Sequence, residues 1–169
     1  LLPLIANAQT FQQLWNKVGE AAKKDLPKTQ IAIIQQIEKK ALSEKQYGQL
    51  LKAQLKRGAL QSDITPDSLD ANVKRLERQY HSFSDPALKA VYATALGKTY
   101  MMLGTDSDEV AGKKWFAEAM VNPATLATRK SDGFEPALVK GDDSDIFSND
   151  LLHVVAMETN GYNAAHSYY

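Results

Sequence analysis

Cysteine is missing from the chain altogether, which removes disulfides, thiolate metal sites and a cysteine nucleophile and is neutral about compartment. Charge of one sign is missing as well. Lys and Arg total 20 and so do Asp and Glu, so no global field favours nucleic acid or anionic lipid. The basic residues fall in short pairs such as Lys23-Lys24, Lys39-Lys40, Lys74-Arg75 and Lys113-Lys114, which on helices read as solvated faces. The nine glycines are spread singly, so a phosphate-cradling loop and a dinucleotide fingerprint are both excluded. No Gly-x-Ser-x-Gly elbow and no His-Glu-x-x-His zinc helix occurs. No apolar run approaches the roughly 20 residues that a membrane-spanning helix needs. Strand signals are nearly absent too: no segment alternates apolar and polar for long, and Asp132-Gly133 is flanked by polar residues and reads as a loop.

What is present suits a packed core. Hydrophobic residues make up 44% and charged residues 24% of 169 residues, enough for one domain, or one domain with an extension. At the start, Leu1-Leu2-Pro3-Leu4-Ile5 runs into Ala6-Asn7-Ala8, small residues in the arrangement that signal peptidase reads. Residues 1–8 are therefore expected to be the remnant of a signal peptide and Gln9 the mature start; the competing reading is a short apolar strand or helix turn. At the other end, Asn163 to Tyr169 reads as mid-helix with no cap, so residues 9–169 are expected to be a helical N-terminal domain truncated at its C-terminal end.

Between the ends the apolar residues recur at helical spacing. Phe11, Leu14, Trp15, Val18, Ala21 and Ala22 share a face, behind a capping box of Thr10 and Gln13. This helix is expected to stop near Lys24, and Pro27 to open the next. That second helix buries Ile31, Ile34, Ile37, Ala41 and Leu42, with Ile33 on the flank. A third turns Tyr47, Leu50, Leu51, Ala53 and Leu55 inward and weakens at Gly58, leaving Gln61-Ser62-Asp63 as a loop. Thr65-Pro66-Asp67-Ser68 starts a fourth, with Leu69, Val73, Leu76 and Tyr80 along one side. Ser84-Asp85-Pro86 opens a fifth, slim with alanines, ended by Gly104. Asp106-Ser107-Asp108-Glu109 is a polar lead-in to a helix carrying Trp115, Phe116, Ala119 and Met120, and Asn122-Pro123 ends it or opens the next turn. A long irregular connection follows around 128–149, pinned by Phe134, Leu138, Ile146 and Phe147, before helices at about 150–159 and from 163 onward. The expected fold is all-α: antiparallel helical hairpins in a tetratricopeptide-like stack. The spacing from Trp15 to Tyr47 is near the roughly 34-residue period of such repeats, but their full pattern is not met.

Three groups of residues invite a chemical reading. Asp142-Asp143-Ser144-Asp145, with Asn149 and Asp150, offers oxygen ligands for calcium, yet lacks the glycine and terminal Glu of an EF-hand; turn and capping roles are expected. His153 lies on an apolar helix, and His81 and His166 fall on separate helices, so a hydrogen-bonded core or boundary role is expected. Trp15, Tyr47, Tyr80, Tyr92, Tyr100 and Trp115 sit on apolar helix sides, where core packing explains them before a groove for peptide or glycan does. No catalytic, cofactor or metal residue is assigned.

Several segments together resemble the N-terminal helical region of bacterial alpha-2-macroglobulin-like proteins, of the kind found in Bacteroides and its relatives. They are Trp15-Asn16-Lys17-Val18 leading to Asp25-Leu26-Pro27-Lys28-Thr29, then Tyr47-Gly48-Gln49-Leu50-Leu51-Lys52-Ala53, then Pro136 to Ser144 continued by Ile146 to His153. The resemblance covers nearly the whole chain from Gln9, through the order and spacing of these segments. It implies an exported periplasmic or cell-envelope protein in which macroglobulin-type β-sandwich domains follow and proteases are entrapped after cleavage of a bait segment. Some members carry a thioester built from a Cys and a Gln; none can lie in a chain without cysteine. The helical region is then a non-catalytic scaffold or docking surface. Its expected partners are the remaining domains of the same polypeptide and, through the whole protein, proteases or envelope proteins. A free-standing periplasmic helical adaptor for a peptide or protein is the alternative.

Overall fold

A computed structural model describes residues 9–138 and 149–159, and among them the chain is helical with no strand. It divides into two compact units, residues 1–69 and 70–169. The expectations for Ile146, Phe147, Asp142 to Asp145 and the helix from 163 lie outside the described residues.

The first unit holds α1 (Phe11–Lys23), α2 (Pro27–Ser43) and α3 (Tyr47–Ile64), with a 3₁₀ turn at Pro66–Ser68. Thr10 and Gln13 form the capping box, each side chain bonding the other's backbone N–H. The two connections are the same turn built twice, twenty positions apart. After α1, Leu26 N–H donates to the Ala21 carbonyl and Asp25 N–H to that of Ala22; after α2, Gln46 N–H donates to Ala41 and Lys45 N–H to Leu42. Both are Schellman turns, and their left-handed positions are filled by Asp25 (φ 52) and Lys45 (φ 55) instead of glycine. Three residues suffice to reverse the chain, so α1 packs on α2 and α2 on α3. Between them Leu14, Val18, Ile34, Ile37 and Ala53 form the core, with Phe11, Trp15, Ile33 and Leu60 packed against it. Each of the Leu, Val and Ile side chains among them contributes roughly 1.5–3 kcal/mol through burial.

Two expectations fail here. Leu42 and Leu55 are exposed, at 52% and 37%, while Gln30 and Gln54 are buried. Hydrophobicity alone misplaced them, because the part of a helix that is covered depends on where its neighbouring helix lies. Gln61-Ser62-Asp63 is the last turn of α3 and not a loop: Gly58 is tolerated, and the helix stops only at Thr65, whose N–H bonds the Gln61 carbonyl ahead of Pro66.

In the second unit α4 (Leu69–Ser82), α5 (Pro86–Leu103), α6 (Asp106–Ala119), the short α7 (Pro123–Ala127) and α8 (Leu151–Thr159) gather around α5, which touches α6, α7 and α8. Asp85 opens α5, accepting from Ala87 N–H at 2.9 Å and from the Arg129 guanidinium at 2.9 Å. Gly104 (φ 81) ends it. Ala87, Ala90, Tyr92, Ala93, Leu96 and Gly97 are all buried, so α5 is apolar nearly all round because it has neighbours nearly all round. The acidic lead-in at Asp106 is itself the first turn of α6, capped by Thr105, where three carboxylates suit the helix dipole.

Part of the irregular connection lies among the described residues. A 3₁₀ turn spans Asp132–Ala137 and buries Phe134. Its two sides are clasped together: Leu151 N–H donates to the Arg129 carbonyl at 2.8 Å and Ser131 N–H to that of Asn149 at 2.7 Å, around a bridge between Lys130 and Asp150. No helix among the described residues is long and apolar enough to cross a membrane.

Candidate functional site

Beside Trp115 the second unit has an open hollow of about 420 Å³, lined by Tyr80 and His81 of α4 and by Ala111, Lys114, Trp115 and Glu118 of α6. The α-helical repeat explains the grouping: positions 111, 114, 115 and 118 fall on one face at spacings of three and four. Tyr80 and Trp115 meet edge to face, ring centroids 4.9 Å apart at 80°, and His81 meets Tyr80 at 5.0 Å. Tyr80 is buried, Trp115 and Ala111 are half-buried, and His81, Lys114 and Glu118 are exposed. The floor is therefore aromatic and the rim polar.

Hydrogen bonding fixes this geometry. The Tyr80 hydroxyl donates to Glu118 Oε1, and the Lys89 ammonium lies over the Tyr80 ring, 5.1 Å from its centroid. Burial, and then the Glu118 carboxylate, push the Tyr80 phenol up to about 12. Tyr100 repeats the device, donating to Glu77 Oε1 at 2.8 Å, with burial and that carboxylate again raising the phenol to about 12. At neutral pH both phenols are held as hydrogen-bond donors.

Of the aromatic residues singled out in the sequence, the structure brings Tyr80 and Trp115 together. Tyr92 is fully buried and packs on Phe83, at 5.0 Å. Trp15 belongs to the first unit, where its Nε1–H donates to Gln49 Oε1 at 2.7 Å and the Lys52 ammonium sits 4.6 Å above its ring. Neither tryptophan is a core residue in the strict sense; both are half-buried. Sequence reasoning missed His81, Lys114 and Glu118 as neighbours of this pair. The signal was available only in part, since Lys114, Trp115 and Glu118 share a helical face but α4 supplies the rest.

Of the other two groups, Asn149 and Asp150 of the acidic stretch have structural duties. Asp150 caps α8, accepting from His153 N–H at 2.7 Å, and Asn149 Nδ2 donates to Asp132 Oδ1 at 3.1 Å across the clasp. His153 is half-buried on α8, and His81 lies on α4. Among the described residues no group of three or more His, Cys, Asp or Glu side chains is placed to hold a metal ion. No protein-family model, no curated protein and no solved structure matches this chain.

Proposed function

We propose that the chain is a non-catalytic helical scaffold and docking module at the N-terminal end of an exported bacterial alpha-2-macroglobulin-like protein, whose role as a whole is protease entrapment in the periplasm or cell envelope. The observation that carries the non-catalytic reading is the use made of the ionisable side chains. Tyr80 bonds Glu118, Tyr100 bonds Glu77, Arg57 pairs with Glu38 at 2.9 Å and Lys98 pairs with Glu158, each tie joining two helices. The two phenols most displaced in acidity move away from neutrality, the opposite of what a general base or an activated nucleophile requires. The family assignment rests on the order and spacing of the segments from Trp15 to His153.

The catalytic half of this reading is tested by incubating the purified chain with casein and with a peptide substrate. Neither turnover nor stoichiometric inhibition of an added protease is expected; turnover abolished by one Asp or His substitution would overturn it. The family half is tested on the coding frame beyond Tyr169, which is expected to continue into macroglobulin-type β-sandwich domains. A stop there would favour a free-standing periplasmic adaptor for a peptide or protein.

A further inference from the structure

We infer that the hollow between α4 and α6 is a binding site for a neutral sugar, taken as a pyranose ring laid against Trp115. The inference goes beyond the scaffold reading and holds whether or not the family proposal does. Its first ground is shape and surface. A space of about 420 Å³ lies within the range of small-ligand sites, and its floor is the Trp115–Tyr80 pair with Ala111 between the polar residues of α6. Such a floor favours a ligand with one apolar face, and an aromatic ring presents a large contact area that is already rigid.

The second ground is charge. Lys114 and Glu118 stand one helical turn apart on the rim, so their charges cancel. Within that lining a cation would meet Lys114 and an anion would meet Glu118. What remains suited is an uncharged ligand that both donates and accepts. Lys114 offers three donors, and Glu118 offers roughly four acceptor positions, of which Tyr80 uses one. His81 supplies a nitrogen of either kind. Donors and acceptors over an aromatic floor, with charges that balance within the lining, match the hydroxyls and the C–H face of a sugar. The Tyr80–Glu118 bond gives the site order before the ligand arrives, since it fixes the acceptor against the floor.

The test is calorimetric titration of the whole chain with cellobiose and with N,N′-diacetylchitobiose. Trp115 fluorescence is read in parallel in a Trp15→Phe background, where Trp115 is the sole tryptophan. Saturable binding of at least one disaccharide is expected, with Kd on the order of 1 mM. Trp115→Phe and Lys114→Ala should each weaken it several-fold, and Trp115→Ala about tenfold or more. Lys114 is exposed, so its variant keeps the fold and stays informative if Trp115→Ala melts early. Inorganic phosphate and a lysine-containing tripeptide are the charged controls and should bind at least about tenfold more weakly. Absence of saturable binding at about 50 mM of both disaccharides overturns the proposal. So does undiminished affinity in both Lys114→Ala and Trp115→Phe, or tighter binding of either charged control.

Discussion

Gly97 and Gly112 face one another where α5 crosses α6, and a Cβ built on either would lie 3.1 Å from the other's carbonyl oxygen. The two backbones meet without side chains between them, which brings Phe116 of α6 onto Gly97 itself.

Substitution at the two positions should therefore differ. A Cβ at Gly97 would come within 2.5 Å of the Phe116 ring, and Phe116 is 1% exposed and cannot yield. Gly97→Ala should destabilise by about 1–3 kcal/mol in urea unfolding, despite the better helix propensity of alanine. At Gly112 the obstacle is the Met101 Sδ at 2.7 Å, part of a flexible chain that can move aside. Gly112→Ala is expected to cost less, and equal losses at the two sites would refute this account of the crossing.

The twin turns of the first unit hold a reserve of stability. Asp25 and Lys45 occupy left-handed backbone at a cost of roughly 1–2 kcal/mol that glycine does not incur. Part of that gain returns as entropy in the unfolded chain. Asp25→Gly and Lys45→Gly should each raise stability by up to about 1 kcal/mol, and the double variant by the sum. Thermal melting measures this directly, and a drop in melting temperature for both would contradict the assigned turn geometry.

Local signals in the chain were sufficient for most helix ends: Thr10 with Gln13, Pro27, Asp85-Pro86 and Gly104 all act where their chemistry places them. Side-chain burial was less legible. Leu42 and Leu55 are outside and Gln30 and Gln54 inside, because which part of an amphipathic stripe is covered depends on the neighbouring helix and not on the stripe. The hollow was barely legible at all. Tyr80 and Trp115 are 35 positions apart, and only the packing of α4 beside α6 makes them one surface.

Alkaline pH should loosen the second unit through its two tied phenols. Tyr80 and Tyr100 release their protons near 10 when unfolded and near 12 when folded, so from pH 10 upward the unfolded chain has lost protons that the folded one keeps. The stability these groups contribute is thus complete below pH 10 and is lost as pH rises toward 12. The loss approaches about 2.5 kcal/mol for Tyr80, and less for the more exposed Tyr100. Tyr80→Phe and Tyr100→Phe should each lower stability at pH 7 by about 1 kcal/mol through the missing hydrogen bond. Together they should flatten its decline between pH 10 and 12. An unchanged slope in the double variant would mean that other groups govern it.

Truncating aromatic residues should rank by burial and not by size. Phe116→Ala empties a closed site and is expected to cost about 3–5 kcal/mol. Trp15→Ala removes a larger ring that is only half-buried, along with its bond to Gln49, and about 2 kcal/mol is expected. Chemical denaturation of the two variants side by side decides the order; a larger loss at Trp15 would make it a true core residue.

The clasp that ties residues 129–131 to 149–151 rests on two main-chain hydrogen bonds, so it is indifferent to most side chains at those positions. Because Arg129 meets Leu151 and Ser131 meets Asn149 directly, α7 and α8 are joined through the donors of Ser131 and Leu151. A proline at Ser131 or at Leu151, which has no N–H to donate, would therefore remove one of these two ties, where other side chains at the same positions would leave it in place.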